Sequence, residues 1–171
     1  DAVQSAAEEP VAVHHYANVL FNVLRGGIFD HHYDVSTRDF RRSLKGFDRA
    51  LVAQHADWLK SLPETLSVSA LTDAVIARGD AQLERLTREY LPIRFGRRHG
   101  DPSRPWNQFA IELEDDHGER LLAYQGNWRD IFQNWEALAL SYPDFVENMI
   151  AKFVNASTVD GYNPYRITNE G

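Results

Sequence analysis

Between Phe40 and Leu59 the apolar residues recur at steps of three and four: Phe40, Leu44, Phe47, Leu51, Val52, His55, Trp58 and Leu59. An α-helix turns once in 3.6 residues, so this spacing gathers them on one stripe, where a strand would need strict alternation. A helix with such a stripe must bury it against other elements, which commits the chain to helix-on-helix packing. Ser36 or Thr37 can cap the start, and Asp39 suits the positive end of the helix dipole. Pro63 marks the far limit. The spacing predicts a single rod of about 36 Å at 1.5 Å per residue. Phe40, Phe47 and Trp58 on its stripe are read as core, with no chemistry assigned.

The same periodicity recurs elsewhere. Val13, Ala17, Leu20, Val23 and Leu24 fit one helical face that ends at Gly26-Gly27. Two shorter helices are expected over Ala70–Ala77 and Ala81–Tyr90, divided by Gly79-Asp80, with Asp80 as cap and Pro92 as stop. Ile131, Phe132, Trp135, Leu138 and Ala139 form a further face that ends near Pro143. A last helix follows to Asn155, with Phe145, Met149, Ile150 and Phe153 inward. Near residues 107–124 the period changes. Phe109, Ile111 and Leu113 alternate with Ala110, Glu112 and Glu114, Asp115-Asp116-His117-Gly118 is turn chemistry, and Arg120–Tyr124 can return as a partner strand. The expected fold is therefore mainly α, built of helical hairpins with one inserted β-hairpin near 107–124. The 171 residues read as a single mostly helical segment, and the ends read as those of a piece of a larger polypeptide.

Charge and composition exclude several classes. Lys and Arg number 18 against 25 Asp and Glu, a net charge of -7, which lacks the basic footprint that nucleic acid requires. No apolar run approaches the ~18 residues of a membrane span. The absence of cysteine rules out a disulfide scaffold and thiolate metal sites. No basic-then-apolar leader is visible, so a cytoplasmic setting is expected. Aromatic residues at 12%, four of them tryptophan, suit a neutral sugar ligand as well as a core.

The segment Trp128-Arg129-Asp130-Ile131-Phe132-Gln133-Asn134 concentrates the chemistry. Asp130, Gln133 and Asn134 stand at i, i+3 and i+4, which puts them on one helical face apart from the apolar stripe. Arg129 flanks the carboxylate, and Trp128 offers a flat ring on which a sugar could stack. Asn127 followed by Asp130 also approaches a capping box, in which the acid merely stabilises a helix start. Arg129-Asp130-x-x-Gln133, after a glycine and opening a helix, resembles a segment of the cellobiose-phosphorylase-like enzymes of the six-hairpin (α/α)6 glycosidases. The resemblance covers about Tyr124–Ala139, and the wider chain resembles part of large bacterial proteins of this group. It implies an (α/α)-barrel-like array of which this chain is a part, and Asp130 as general acid. From their place on or beside that helical face, Trp128, Arg129, Gln133 and Asn134 are read as substrate-binding candidates. Asn134 stands where that family has a second acid, and the family's remaining site residues fall outside this chain.

That activity would be inverting cleavage of a glycosidic bond, by hydrolysis or by phosphorolysis. One carboxylic acid protonates the leaving oxygen while water, activated by a base, or inorganic phosphate attacks the opposite face of the ring. The acid must hold its proton near neutral pH, whereas a helix N-terminus and Arg129 favour the carboxylate. A bound phosphate or second carboxylate would restore the proton. The expected partners are an oligosaccharide or disaccharide, inorganic phosphate, and the remainder of the parent polypeptide, with no nucleic acid and no membrane. The alternative is a non-catalytic helical domain that binds glycan or another subunit.

Other clusters carry less. Arg94, Arg97, Arg98 and Arg104 could hold phosphate but read as a solvated loop. His14-His15 and His31-His32, the latter beside Asp30 and Asp34, are adjacent pairs without helical ligand spacing, so no metal or cofactor is expected. Gly161-Tyr162-Asn163-Pro164-Tyr165-Arg166 is an aromatic loop. It either packs over a helix end or presents Tyr162 to a sugar.

Overall fold

A computed structural model of the chain describes residues 9–14, 16–17, 28–94, 114–118, 122, 126–163 and 166–167. In order these form α1 (9–14 and 16–17), β1 (Ile28–Phe29), β2 (Asp34–Ser36), α2 (Thr37–Phe47), α3 (Arg49–Gln54) and α4 (Ala56–Ser61). Then come β3 (Thr65–Ser67), α5 (Val68–Ile76), α6 (Ala81–Arg88), β4 (Ile93–Arg94) and β5 (Gly126–Asn127). The chain ends with α7 (Trp128–Ser141), a 3₁₀ turn (Pro143–Phe145), α8 (Val146–Asn155) and β6 (Arg166–Ile167). The fold is mainly helical, as the periodicity predicts. Among the described residues the strands form three short antiparallel pairs, β1 with β4, β2 with β3 and β5 with β6.

The predicted rod over residues 37–61 is three helices. Ser36 caps α2 as expected, accepting from the Asp39 N–H at 3.4 Å. At Asp48 the backbone turns extended (φ -148°, ψ 97°) and its carboxylate accepts from the Leu51 N–H at 2.9 Å, which starts α3 afresh. The short side chain of Asp competes for backbone N–H groups and favours caps over helix interiors. A second break at His55 starts α4. Its imidazole donates to Asp80 Oδ2 at 2.9 Å, while Asp80 Oδ1 accepts from the Gln82 and Leu83 N–H groups and so caps α6. The Leu83 N–H and the His55 imidazole hold the Asp80 carboxyl below its ordinary range.

Three short rods can wrap one core where a straight rod could not. That core includes Val35, Phe40, Leu44, Leu59, Leu71, Val75 and Leu83, all buried. Beside it Tyr90 donates to Asp39 Oδ2 at 2.5 Å, and Arg42 donates to Asp39 Oδ1 at 2.6 Å. Burial, then the Asp39 carboxylate, push the Tyr90 phenol well above its ordinary range. The expected core stripe needs correction at its edges. Phe47 is 48% exposed, and Trp58 is half-buried with the Arg78 guanidinium 5.7 Å over its ring.

β1 and β4 pair Ile28 with Arg94 and Phe29 with Ile93, and the Asp30 N–H donates to the Pro92 carbonyl at 2.9 Å. Residues 29–92 thus leave and re-enter through one neck. This body packs on α8. Phe145, fully buried, stacks on Phe29 with ring centroids 4.1 Å apart and on Tyr33 at 5.7 Å. Tyr142 meets both rings edge-on, and its hydroxyl lies 2.6 Å from His32 Nδ1. Asn148 donates from Nδ2 to the Thr87 carbonyl at 3.4 Å and the Tyr90 carbonyl at 3.2 Å. Arg88 bonds Glu84 and Glu147, and the Lys152 ammonium lies 5.6 Å over Phe47.

Other expectations fare unevenly. α7 and α8 form near their predicted places, with Ile131, Trp135, Leu138, Phe145 and Met149 buried. Phe132 and Ile150, expected inward, are 47% and 58% exposed because the buried stripes run through their neighbours. Val13 and Ala17 of α1 are exposed, and residues 18–27 lie outside the described residues. Of the β-hairpin, the turn is described: the Gly118 N–H (φ +75°) donates to the Asp115 carbonyl at 2.9 Å. Its expected strands lie almost wholly outside the described residues. No helix among the described residues is long and apolar enough to cross a membrane.

Candidate functional site

The site is built from the start of α7. β5 runs straight into the helix, with Asn127 at the N-cap (φ -83°, ψ 137°) and Trp128 as the first helical residue. Arg129 and Asp130 therefore fall in the first turn, and Gln133 and Asn134 in the next. For these four the described part is the helix backbone. The expected i, i+3, i+4 placement on one helix is what α7 provides. The first N–H groups of a helix have no intrahelical acceptor and carry the positive end of its dipole, so this turn favours an acceptor or an anion.

The capping-box reading meets a specific observation. Asn127 is 2% exposed, yet its side chain makes no cap bond, and its Nδ2 has no acceptor among the described residues. Trp128 is likewise buried. Its ring stacks on Phe132 at 5.7 Å and meets Trp135 and Phe153 edge-on at 5.7 and 5.1 Å. Its indole N–H also has no acceptor among the described residues. A buried donor without a partner is costly, and native structures carry few. Both stand at consecutive residues at the head of α7.

The aromatic loop reaches the same end of the helix. β6 pairs Arg166 with Asn127 and Ile167 with Gly126, which draws residues 166–167 beside the start of α7. The loop also closes α8: Asn163 donates from Nδ2 to the Phe153 carbonyl at 3.1 Å and to Ser157 Oγ at 2.8 Å. Gly161 adopts φ +80°, and the Thr158 N–H donates to the Tyr162 carbonyl at 2.7 Å. Packing over a helix end is thus its local role. Tyr162 is left 68% exposed. Trp128 meets the Phe153 ring, and Asn163, the neighbour of Tyr162, holds the Phe153 carbonyl.

The other candidates are scattered. His14 Nε2 lies 2.9 Å from Glu136 Oε1, and His31 Nε2 lies 3.4 Å from Asp30. His31 and His32 both take positive φ, 53° and 59°. Among the described residues no three metal-ligating side chains come together. His15, Arg97, Arg98 and Arg104, and the Arg94 side chain, lie outside the described residues. Asn148 carries no sequence signal, since an isolated Asn gives no local sign of a distant partner.

Residues 29–92 match the family model of glycoside hydrolase family 149 insertion domain 1. The matched stretch is a little over a third of the chain and supports a glycosidase-related domain within a glycoside hydrolase-like protein. Its limits coincide with the β1–β4 neck. No curated protein matches the chain.

Proposed function

We propose that this chain is part of a carbohydrate-active enzyme that cleaves glycosidic bonds with inversion, and that Asp130 is its general acid. The observation that carries the reading is the insertion-domain match over residues 29–92. An insertion implies a host, and α7 with Arg129-Asp130 in its first turn lies outside the matched stretch, against which the α7–α8 pair packs.

In this reading the Asp130 carboxylic acid gives its proton to the glycosidic oxygen as the bond from that oxygen to the anomeric carbon breaks. Water or inorganic phosphate attacks the anomeric carbon from the opposite face. With water, a general base outside this chain takes the second proton; phosphate needs none. Arg129, Gln133 and Asn134 stand on the same helix and bind the substrate in this reading, with Trp128 at its start. The exposed Tyr162 ring offers an apolar face to a sugar.

The test is turnover of disaccharides and oligosaccharides by the full-length protein, with and without phosphate, beside Asp130→Asn. Loss of roughly 10²–10⁴-fold in rate is expected for removal of a general acid. Dependence on phosphate identifies phosphorolysis. Turnover that persists in Asp130→Asn removes Asp130 from the role. A folded protein without turnover on the panel favours the non-catalytic glycan-binding alternative.

A further inference from the structure

We infer that the inserted body of residues 29–92 is a brace for the α7 helix, with Asn148 as the positioning residue that anchors it; this rests on the reading of Asp130 given above. α8 lies between two partners. On one side Phe145, Asn148 and Lys152, spaced at three and four residues, meet the insert at Phe29, the Thr87 and Tyr90 carbonyls, and Phe47. On the other side Phe153 meets Trp128 at 5.1 Å and Phe132 at 5.3 Å, so it touches α7 two residues from Asp130.

Asn148 is buried, and both bonds from its amide go to main-chain carbonyls, Thr87 in the last turn of α6 and Tyr90 just beyond it. A backbone anchor fixes position more tightly than an apolar contact can, because hydrogen bonds are directional. The chain of contact therefore runs from the insert through Asn148 and α8 to Phe153, Trp128 and the head of α7. A group that must deliver a proton is sensitive to displacements of about 1 Å.

The experiment compares full-length Asn148→Ala and Asp130→Asn proteins on two substrates: a natural disaccharide, and an aryl glycoside whose phenolate leaves without protonation. Asp130→Asn should lose the first activity and keep most of the second. Asn148→Ala should show the same split more weakly, a roughly tenfold to hundredfold loss on the disaccharide alone. Hydrogen exchange at the Phe132–Trp135 amides reads the brace without substrate and should accelerate in Asn148→Ala. If Asn148→Ala does not accumulate folded, Asn148→Asp, which keeps the size and removes the donors, is read the same way. Unchanged exchange at these amides overturns the brace whatever Asp130 does. Equal loss on both substrates in a folded Asn148 variant also overturns it. An Asp130→Asn protein with no split between the substrates instead overturns the acid assignment.

Discussion

Tyr90 shows what one atom does in this fold. Its hydroxyl donates to a buried carboxylate whose other oxygen takes Arg42. Tyr90→Phe leaves Asp39 short of a donor and should cost about 1.5–3 kcal/mol, the range for hydrogen bonds to charged groups, as measured by urea unfolding. The same contact fixes a pH dependence. Because the folded state raises the phenol pKa, chiefly by burial, the wild type holds this contribution in full below the unfolded value of about 10. It loses the contribution as pH climbs from there toward the folded value. The Tyr90→Phe protein should lack this alkaline slope. Nothing in the sequence pairs Tyr90 with Asp39, which stand 51 positions apart, whereas the caps at Ser36 and Asp80 could be read because their partners are two or three residues away.

Among the elements, the informative failure is the rod expected over residues 37–61. Periodicity reports which face is apolar but not whether the axis stays straight, so three helices around a curved core carry much the same stripe as one. The signal for the break was present in Asp48, which follows Gly46-Phe47, and could be weighed only against a known core shape. Asp48→Ala removes the bond to the Leu51 N–H and should cost about 0.5–2 kcal/mol, the range for losing an N-cap. Circular dichroism should show no gain in helix, since the extended bend at Asp48 also turns the chain around the core. A gain in helix on Asp48→Ala would mean that the cap alone creates the bend. At α7 the sequence placed the helix from local spacing. It could not show that Asn127 leaves its amide uncapped, or that β6 lies against it, because both follow from distant chain.

For the whole molecule the question is whether residues 29–92 and the α7–α8 pair are one folding unit. The neck gives residues 29–92 the geometry of a separable body, since its ends are hydrogen-bonded neighbours. The core argues otherwise. Phe145 lies outside residues 29–92, yet its ring is fully buried against Phe29 and Tyr33 within them. A body of about 65 residues buries only about 60% of its unfolded surface and is marginal alone, so a shared aromatic seam is a large part of what holds it. A single transition is therefore expected for the chain: far-ultraviolet dichroism and the fluorescence of Trp58, Trp128 and Trp135 should report one midpoint. Phe145→Ala should cost about 3–5 kcal/mol from burial and cavity. Paired with Phe29→Ala it should cost less than the sum of the two single changes, because each removes the same stack. Strict additivity, or two separate midpoints in the wild type, would mean that this body folds independently. It could then hold the α7 helix only by contact, not through a common core.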